Sequence, residues 1–160
     1  MSQDPDRSAH AIAAADALGL DYEVTRHGPV RSLQEAAAAR GLPPAAVIKT
    51  IVVRLSDGDY RFVLVPGDRE IAWPKLRSLL RVNRLSMPDA ETARQQTGYV
   101  RGTITPLGST TAWPVVMDLS MSGKVSVGGG AHGVALTVDA QRLAKALDAT
   151  VADVTEASGS

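Results

Sequence analysis

The sequence predicts a single α/β domain of the α+β type, a mixed and largely antiparallel β-sheet or barrel with peripheral helices. Three observations predict it. Helix-like and strand-like segments are interleaved along the chain. The links between the central strand candidates are of hairpin length, too short for parallel crossovers. The 160 residues, 44% of them apolar, suffice for one substantial core. The domain is expected over residues 8–155, with disordered tails at 1–7 and 156–160.

Ser8 is placed to cap a first helix through "AHAIAAADALGL", whose apolar stripe stops at Gly19. "DYEVTRH" then alternates as a strand does. In "SLQEAAAARG", Ser32 and Glu35 have capping-box spacing and Gly41 supplies the stop. "VIKTIVVRL" and "YRFVLVPG" are β-branched and apolar runs joined through Asp57-Gly58, the clearest hairpin signal in the chain. Trp73 to Arg81 returns to helical spacing with Pro74 near its start, and "MPDAETARQQTG" predicts a short helix ending at Gly98. Strands are expected around Val115 to Leu119, Lys124 to Val127 and Val134 to Val138. Asp139 caps the helix "AQRLAKALD", and "TVADV" supplies a last strand.

Composition narrows the function. There is no cysteine, which excludes disulfides, thiolate metal sites and cysteine nucleophiles. The three histidines, His10, His27 and His132, show no ligand spacing, so neither metal nor cofactor is expected. No apolar run approaches the roughly 20 residues that span a bilayer, and the polar, acidic opening lacks the regions of a signal peptide. No membrane partner is expected, and the expected compartment is the cytoplasm. A formal net charge of zero argues against non-specific coating of nucleic acid. A local basic patch remains: Arg77, Arg81 and Arg84, spaced by four and three, share a face if their segment is helical, either as a solvated surface or as phosphate contacts.

Three segments carry chemistry. In "RGTITPLG", Gly102 and Gly108 open backbone angles closed to other residues, while Pro106 stiffens the loop and holds Thr105 extended. Such a loop either aims main-chain amides at a carboxylate, phosphate or oxyanion, or is a tight turn. Lys49 sits among apolar β-branched residues, so its ammonium either reaches a cleft or snorkels from an edge strand. The run "VGGGAHG" places Gly128, Gly129, Gly130 and Gly133 around His132 directly after a strand, which suits close approach to a ligand or a bulge. His132 is either a general base or phosphate contact, or a surface residue of a turn.

Taken together, "VIKTIVV", "FVLVPGDREI", "TGYVRGTITPLG", "VGGGAHGV" and "LAKALDATVADV" in this order resemble the YbaK/ProX family of aminoacyl-tRNA editing domains, found also as insertions in prolyl-tRNA synthetases. The resemblance runs from about His10 to Val154. It implies a YbaK/ProX-like fold and hydrolysis in trans of the ester of mischarged aminoacyl-tRNA, possible partners being that tRNA and a synthetase. It assigns Lys49 to hold the terminal adenosine end, and Gly102 with Thr103, Ile104, Thr105, Pro106 and Gly108 to bind the carbonyl region. It places His27, Thr50 and the Gly128–Gly130 run with His132 at the substrate pocket. Water attacks with help from a ribose hydroxyl, in keeping with the absence of an evident Ser-His-Asp triad. Thr103 departs from the second glycine of many members, and Gly128, Ala131 and His132 replace the basic residues and leading serine usual in the glycine run. These departures leave the edited amino acid open. Two other classes stand beside the deacylase: a non-catalytic module binding tRNA ends or small metabolites, and a small-ester hydrolase using Thr103 or Thr105 as nucleophile.

Overall fold

The computed structural model describes residues 6–158. In chain order it comprises α1 (Ser8–Ala17), β1 (Glu23–Arg26), α2 (Leu33–Arg40), β2 (Ile48–Ser56), β3 (Asp59–Pro66), β4 (Arg69–Ile71), α3 (Trp73–Leu80), α4 (Ala90–Thr97), β5 (Val115–Asp118), β6 (Lys124–Gly128), β7 (Val134–Asp139), α5 (Ala140–Ala146), β8 (Thr150–Ala152) and β9 (Thr155–Ala157). A short 3-10 turn at Pro44–Ala46 leads into β2.

The strands form three sheets, ordered β1-β7-β6, β2-β3-β5-β8 and β4-β9. The hairpin β2–β3 turns at Gly58, whose φ is +75°, and Lys49 lies opposite Val65. Between the named strands of the described residues, parallel ladders are those of β5, which lies between β3 and β8. The two larger sheets face each other and also touch edgewise through a parallel bridge between Val47 and Ser126.

Strand alternation decides what each face buries. From β2 and β3, Ile48, Val52, Phe62 and Leu64 turn inward against Val125, Val127, Leu136 and Val138 of the other sheet, with Ala11 and Ala15 of α1 and Leu143 of α5 closing the ends. The opposite face of the four-stranded sheet presents Val53, Val63, Val65 and Val116 to Leu76 of α3. Leu76 is fully buried and stabilises this contact by about 1.5–3 kcal/mol.

The predicted caps are partly rearranged. Ser32 accepts from the Glu35 N–H as expected, but the Glu35 carboxylate accepts from Arg31 N–H rather than closing the box on Ser32. Asp89 and Asp139 cap α4 and α5. Ser8 does not cap α1. It is the first helical residue, and both its N–H and hydroxyl donate to Asp6.

Of the tails expected to be disordered, residues 1–5, 159 and 160 lie outside the described residues. Arg7 N–H donates to the Gly130 carbonyl at 3.1 Å and its guanidinium sits over the Tyr99 ring. Glu156 and Ala157 belong to β9 and pair with β4. Both strands of that pair escape sequence pattern because three residues carry too little periodicity.

Candidate functional site

A cavity of about 500 Å³ opens between the end of β1, the last turn of α2 and the Gly102 loop, lined by His27, Gly28, Pro29, Val30, Arg40, Gly102, His132 and Gly133. Its walls are held backbone to backbone. His27 N–H donates to the Gly133 carbonyl at 2.8 Å, continuing the β1–β7 ladder by one residue. Gly102 has φ +89°, and a Cβ there would come within 3.2 Å of the His132 ring.

His27 Nδ1 lies 2.8 Å from the Gly28 carbonyl, an acceptor only, so Nδ1 carries the proton. In the neutral ring Nε2 is then the acceptor; it is buried and has no partner among the described residues. Arg40, not singled out from the sequence, also reaches this cavity. Its Nη1 donates to the Ser126 hydroxyl at 3.3 Å, and its Nε is buried without an acceptor. Burial pushes the guanidinium below its ordinary range. At the end of "AAAAR" the residue reads as a C-terminal helix charge, and only its long-range hydrogen bond to Ser126 of β6 reveals its other surroundings.

The proline loop is divided between two hollows. Gly102 faces the cavity of His27 and His132, whereas Pro106 and Gly108 line a separate hollow of about 570 Å³ with Ala14, Leu18 and Trp113. Gly108 is required there by close packing: a Cβ would meet the His10 carbonyl oxygen at 2.5 Å. Thr103 and Thr105 are buried; Thr103 Oγ1 donates to the Val100 carbonyl at 2.7 Å and Thr105 Oγ1 accepts from Leu107 N–H at 3.2 Å. Among the described residues both hydroxyls are engaged by backbone and neither has a base as partner, which counts against the threonine-nucleophile reading. Tyr99 hydroxyl donates to the Leu107 carbonyl and braces the loop from beneath.

The glycine run serves close approach to the chain's own backbone. A Cβ on Gly128 would lie 2.9 Å from the Ile104 carbonyl oxygen, and one on Gly130 would lie 2.8 Å from that of Arg7. Gly129 donates to the Val134 carbonyl and closes the β6–β7 turn. His132, in that turn, is exposed and borders the cavity.

Lys49 lies elsewhere. By strand parity it shares the α3 side of the sheet with Ile51 and Val53, and its exposed ammonium donates to the Arg69 carbonyl at 2.6 Å. It is not among the residues lining the Gly102 cavity. Thr50, next in the strand, turns to the other face, where its Oγ1 is buried without a partner.

The expected arginine face does not form. Helix α3 stops at Leu80, and Arg81 takes the left-handed cap conformation with φ +57°, so Arg84 leaves the helical register. Arg77 and Arg84 instead meet Arg54 of β2 along a groove of about 540 Å³ that also holds Ser56, Asn83 and Ser86. Arg81 is not among its lining residues. Among the described residues no cluster of three or more metal-ligating side chains forms, and no helix is long and apolar enough to cross a membrane.

Comparison with known proteins bears on this geometry. The model of the aminoacyl-tRNA editing domain family matches residues 27–146. A proline–tRNA ligase of Desulfovibrio desulfuricans is 33% identical over 99 residues, 62% of this chain and 16% of the ligase. One from Geobacter sp. (strain M21) is 29% identical over 123 residues, 77% of this chain and 21% of the ligase. The chain thus spans about a fifth or less of these relatives' length. A candidate trans-editing enzyme for prolyl tRNA synthetase has a crystal structure that superposes with a TM-score of 0.84 at 25% identity, covering 97% of this chain and 99% of that one. The crystal structure of a hypothetical protein superposes with a TM-score of 0.82 at 28% identity over 92% and 99% of the two chains.

Proposed function

The chain belongs to the aminoacyl-tRNA editing domain family, and on that premise we propose that it is a deacylase that hydrolyses the ester of mischarged tRNA in trans. The observation that carries this reading is the Gly102 cavity. At about 500 Å³ it lies within the range that small ligands fill, and among the described residues its lining includes two imidazoles, a guanidinium and two positive-φ glycines but no carboxylate.

Ester hydrolysis adds water at the carbonyl carbon and places negative charge on the carbonyl oxygen. A donor fixed in advance lowers that barrier. The Gly102 N–H has no acceptor among the described residues and serves as this donor. The water's proton passes to solvent or through the vicinal ribose hydroxyl, and the departing ribose oxygen regains one, so no enzyme nucleophile is needed. His27 Nε2 lies in the same wall, enclosed and without a partner among the described residues. His132, packed on Gly102, bounds the amino-acid side.

Lys49 positions the terminal adenosine once its ammonium exchanges the Arg69 carbonyl for substrate. The side chain is exposed, and one such hydrogen bond contributes about 0.5–3 kcal/mol, so the exchange is small beside substrate binding. The groove of Arg54, Arg77 and Arg84 takes the tRNA backbone. A cytoplasmic setting, with substrate released by a synthetase, fits this chemistry.

The test is deacylation across alanyl-, cysteinyl-, seryl- and threonyl-tRNA with the wild-type chain and Lys49→Ala. At least one substrate is expected to be hydrolysed, with Lys49→Ala folded and largely inactive. The separation of Lys49 from the cavity favours one second reading, a binding module without turnover. tRNA binding with no hydrolysis anywhere in the panel would establish it.

A further inference from the structure

Among the described residues, the partly buried guanidinium of Arg40 has no counter-ion. Among the described residues no acidic side chain pairs with it, its hydrogen-bonded neighbour is the neutral Ser126 hydroxyl, and none of the residues lining the cavity is a carboxylate. A charge withdrawn from water is ordinarily paired, because the lost hydration is otherwise uncompensated. With Nη1 engaged by Ser126, the edge formed by Nε and Nη2 has no protein acceptor. Nε is itself enclosed by protein, so the donor left for an oxygen of a phosphate or carboxylate in the cavity is Nη2. Ser126 is fully buried on β6, so it holds the guanidinium at a fixed place against the sheet.

We propose that Arg40 is the anion-binding residue of the Gly102 cavity and that it holds the phosphodiester on the 5′ side of a terminal nucleoside. The inference rests on the deacylase reading for the choice of ligand. At the reacting end of an aminoacyl-tRNA the α-ammonium is repelled by Arg40 and the ribose hydroxyls are neutral. The first anion shared by every such substrate is that phosphodiester. A side-chain carboxylate of an acidic amino acid has the same oxygen geometry and is the competing source.

The experiment measures binding, so it needs no turnover. The full chain and its Arg40→Gln and Arg40→Lys variants are titrated with the dinucleotide cytidylyl-adenosine, with adenosine, and with 3′-aspartylamido- and 3′-alanylamido-adenosine. For the wild type, the dinucleotide is expected to bind at least about tenfold more tightly than adenosine. Arg40→Gln should erase that advantage while leaving adenosine affinity unchanged. Arg40→Lys, which keeps the charge but not the planar guanidinium held by Ser126, should retain part of it, and it preserves the test if Arg40→Gln does not fold. Equal affinity for dinucleotide and adenosine overturns the inference. So does an Arg40-dependent preference that follows the aspartyl carboxylate instead of the phosphodiester. Arg40-dependent dinucleotide binding in a chain that deacylates no tRNA would refute the deacylase reading and leave this inference standing.

Discussion

The carbonyl oxygen of His27 occupies the space that a Cβ on Gly133 would need, while His27 N–H donates to the Gly133 carbonyl at 2.8 Å. The two residues are thus interlocked through their backbones at the rim of the cavity. Gly133→Ala faces both a φ of +75° and a contact with main chain that cannot swing aside, and should destabilise the fold by more than about 2 kcal/mol. Gly58→Ala shares the φ of +75° but has nothing within 4 Å, and should cost about 1 kcal/mol. Denaturant titration of the two variants separates the contributions; equal losses would mean the His27 contact carries no weight.

Gly102→Ala addresses chemistry more than stability. Its φ of +89° is unfavourable for alanine, at about 1–2 kcal/mol, and the new methyl would press on the exposed His132 ring. Deacylation kcat/KM should fall at least about tenfold as the N–H of residue 102 turns from its direction. Unchanged kinetics in a folded variant would remove the loop amide from the mechanism.

Tyr99 ties the proline loop to the core through its hydrogen bond to Leu107. Burial, partly offset by the Arg7 guanidinium, raises its phenol to about 12. The unfolded phenol ionises near 10. Stability from this group is therefore complete below pH 10 and is lost as pH climbs from 10 toward 12. Tyr99→Phe should lower stability by about 1–3 kcal/mol at pH 8 by stranding the Leu107 carbonyl, and should flatten the alkaline decline. Urea midpoints from pH 8 to 11.5 measure both effects.

Asp118 is buried, which by itself raises its carboxyl. The hydrogen bonds it accepts from Ser120, the Val154 N–H and Thr155 outweigh that and hold it below the ordinary range. A depressed carboxyl stabilises the fold above its unfolded value, near 4, and that contribution disappears as pH drops through the lower folded value. Asp118→Asn should destabilise by about 1–3 kcal/mol at pH 7, with the gap closing in acid. A gap independent of pH would assign the loss to packing.

The arginine groove is tested by salt. Arg77→Ala and Arg84→Ala should each reduce the log–log salt slope of tRNA binding by about one, whereas Arg81→Ala, outside the groove, should leave it unchanged. Equal effects from all three would indicate a diffuse field in place of a defined contact.

Local rules carried much of the fold. Asp89 and Asp139 cap helices because a short carboxylate accepts from an N–H three residues on, and Gly41, Gly58 and Gly98 sit at positive φ because turns and helix ends demand it. These are interactions within a few residues, so pattern suffices. Ser8 departs from the local rule because Asp6, two residues earlier, accepts from both its N–H and its hydroxyl. The β4–β9 pair was missed because its strands are joined only by a distant ladder.

The candidate site divides along the same line. By itself the sequence determined the positive-φ loop, the glycine run and the family resemblance, since backbone freedom and motif order are written locally. Only the tertiary structure decided which of those residues share a cavity. Gly102 meets His27 and His132, Gly108 packs on α1, and Lys49 turns to Arg69, while Arg40 enters unannounced from the end of a helix. The physical reason is parity and crossing. One residue's step along β2 sends Lys49 and Thr50 to opposite faces, and what each face meets is set by elements dozens of residues away.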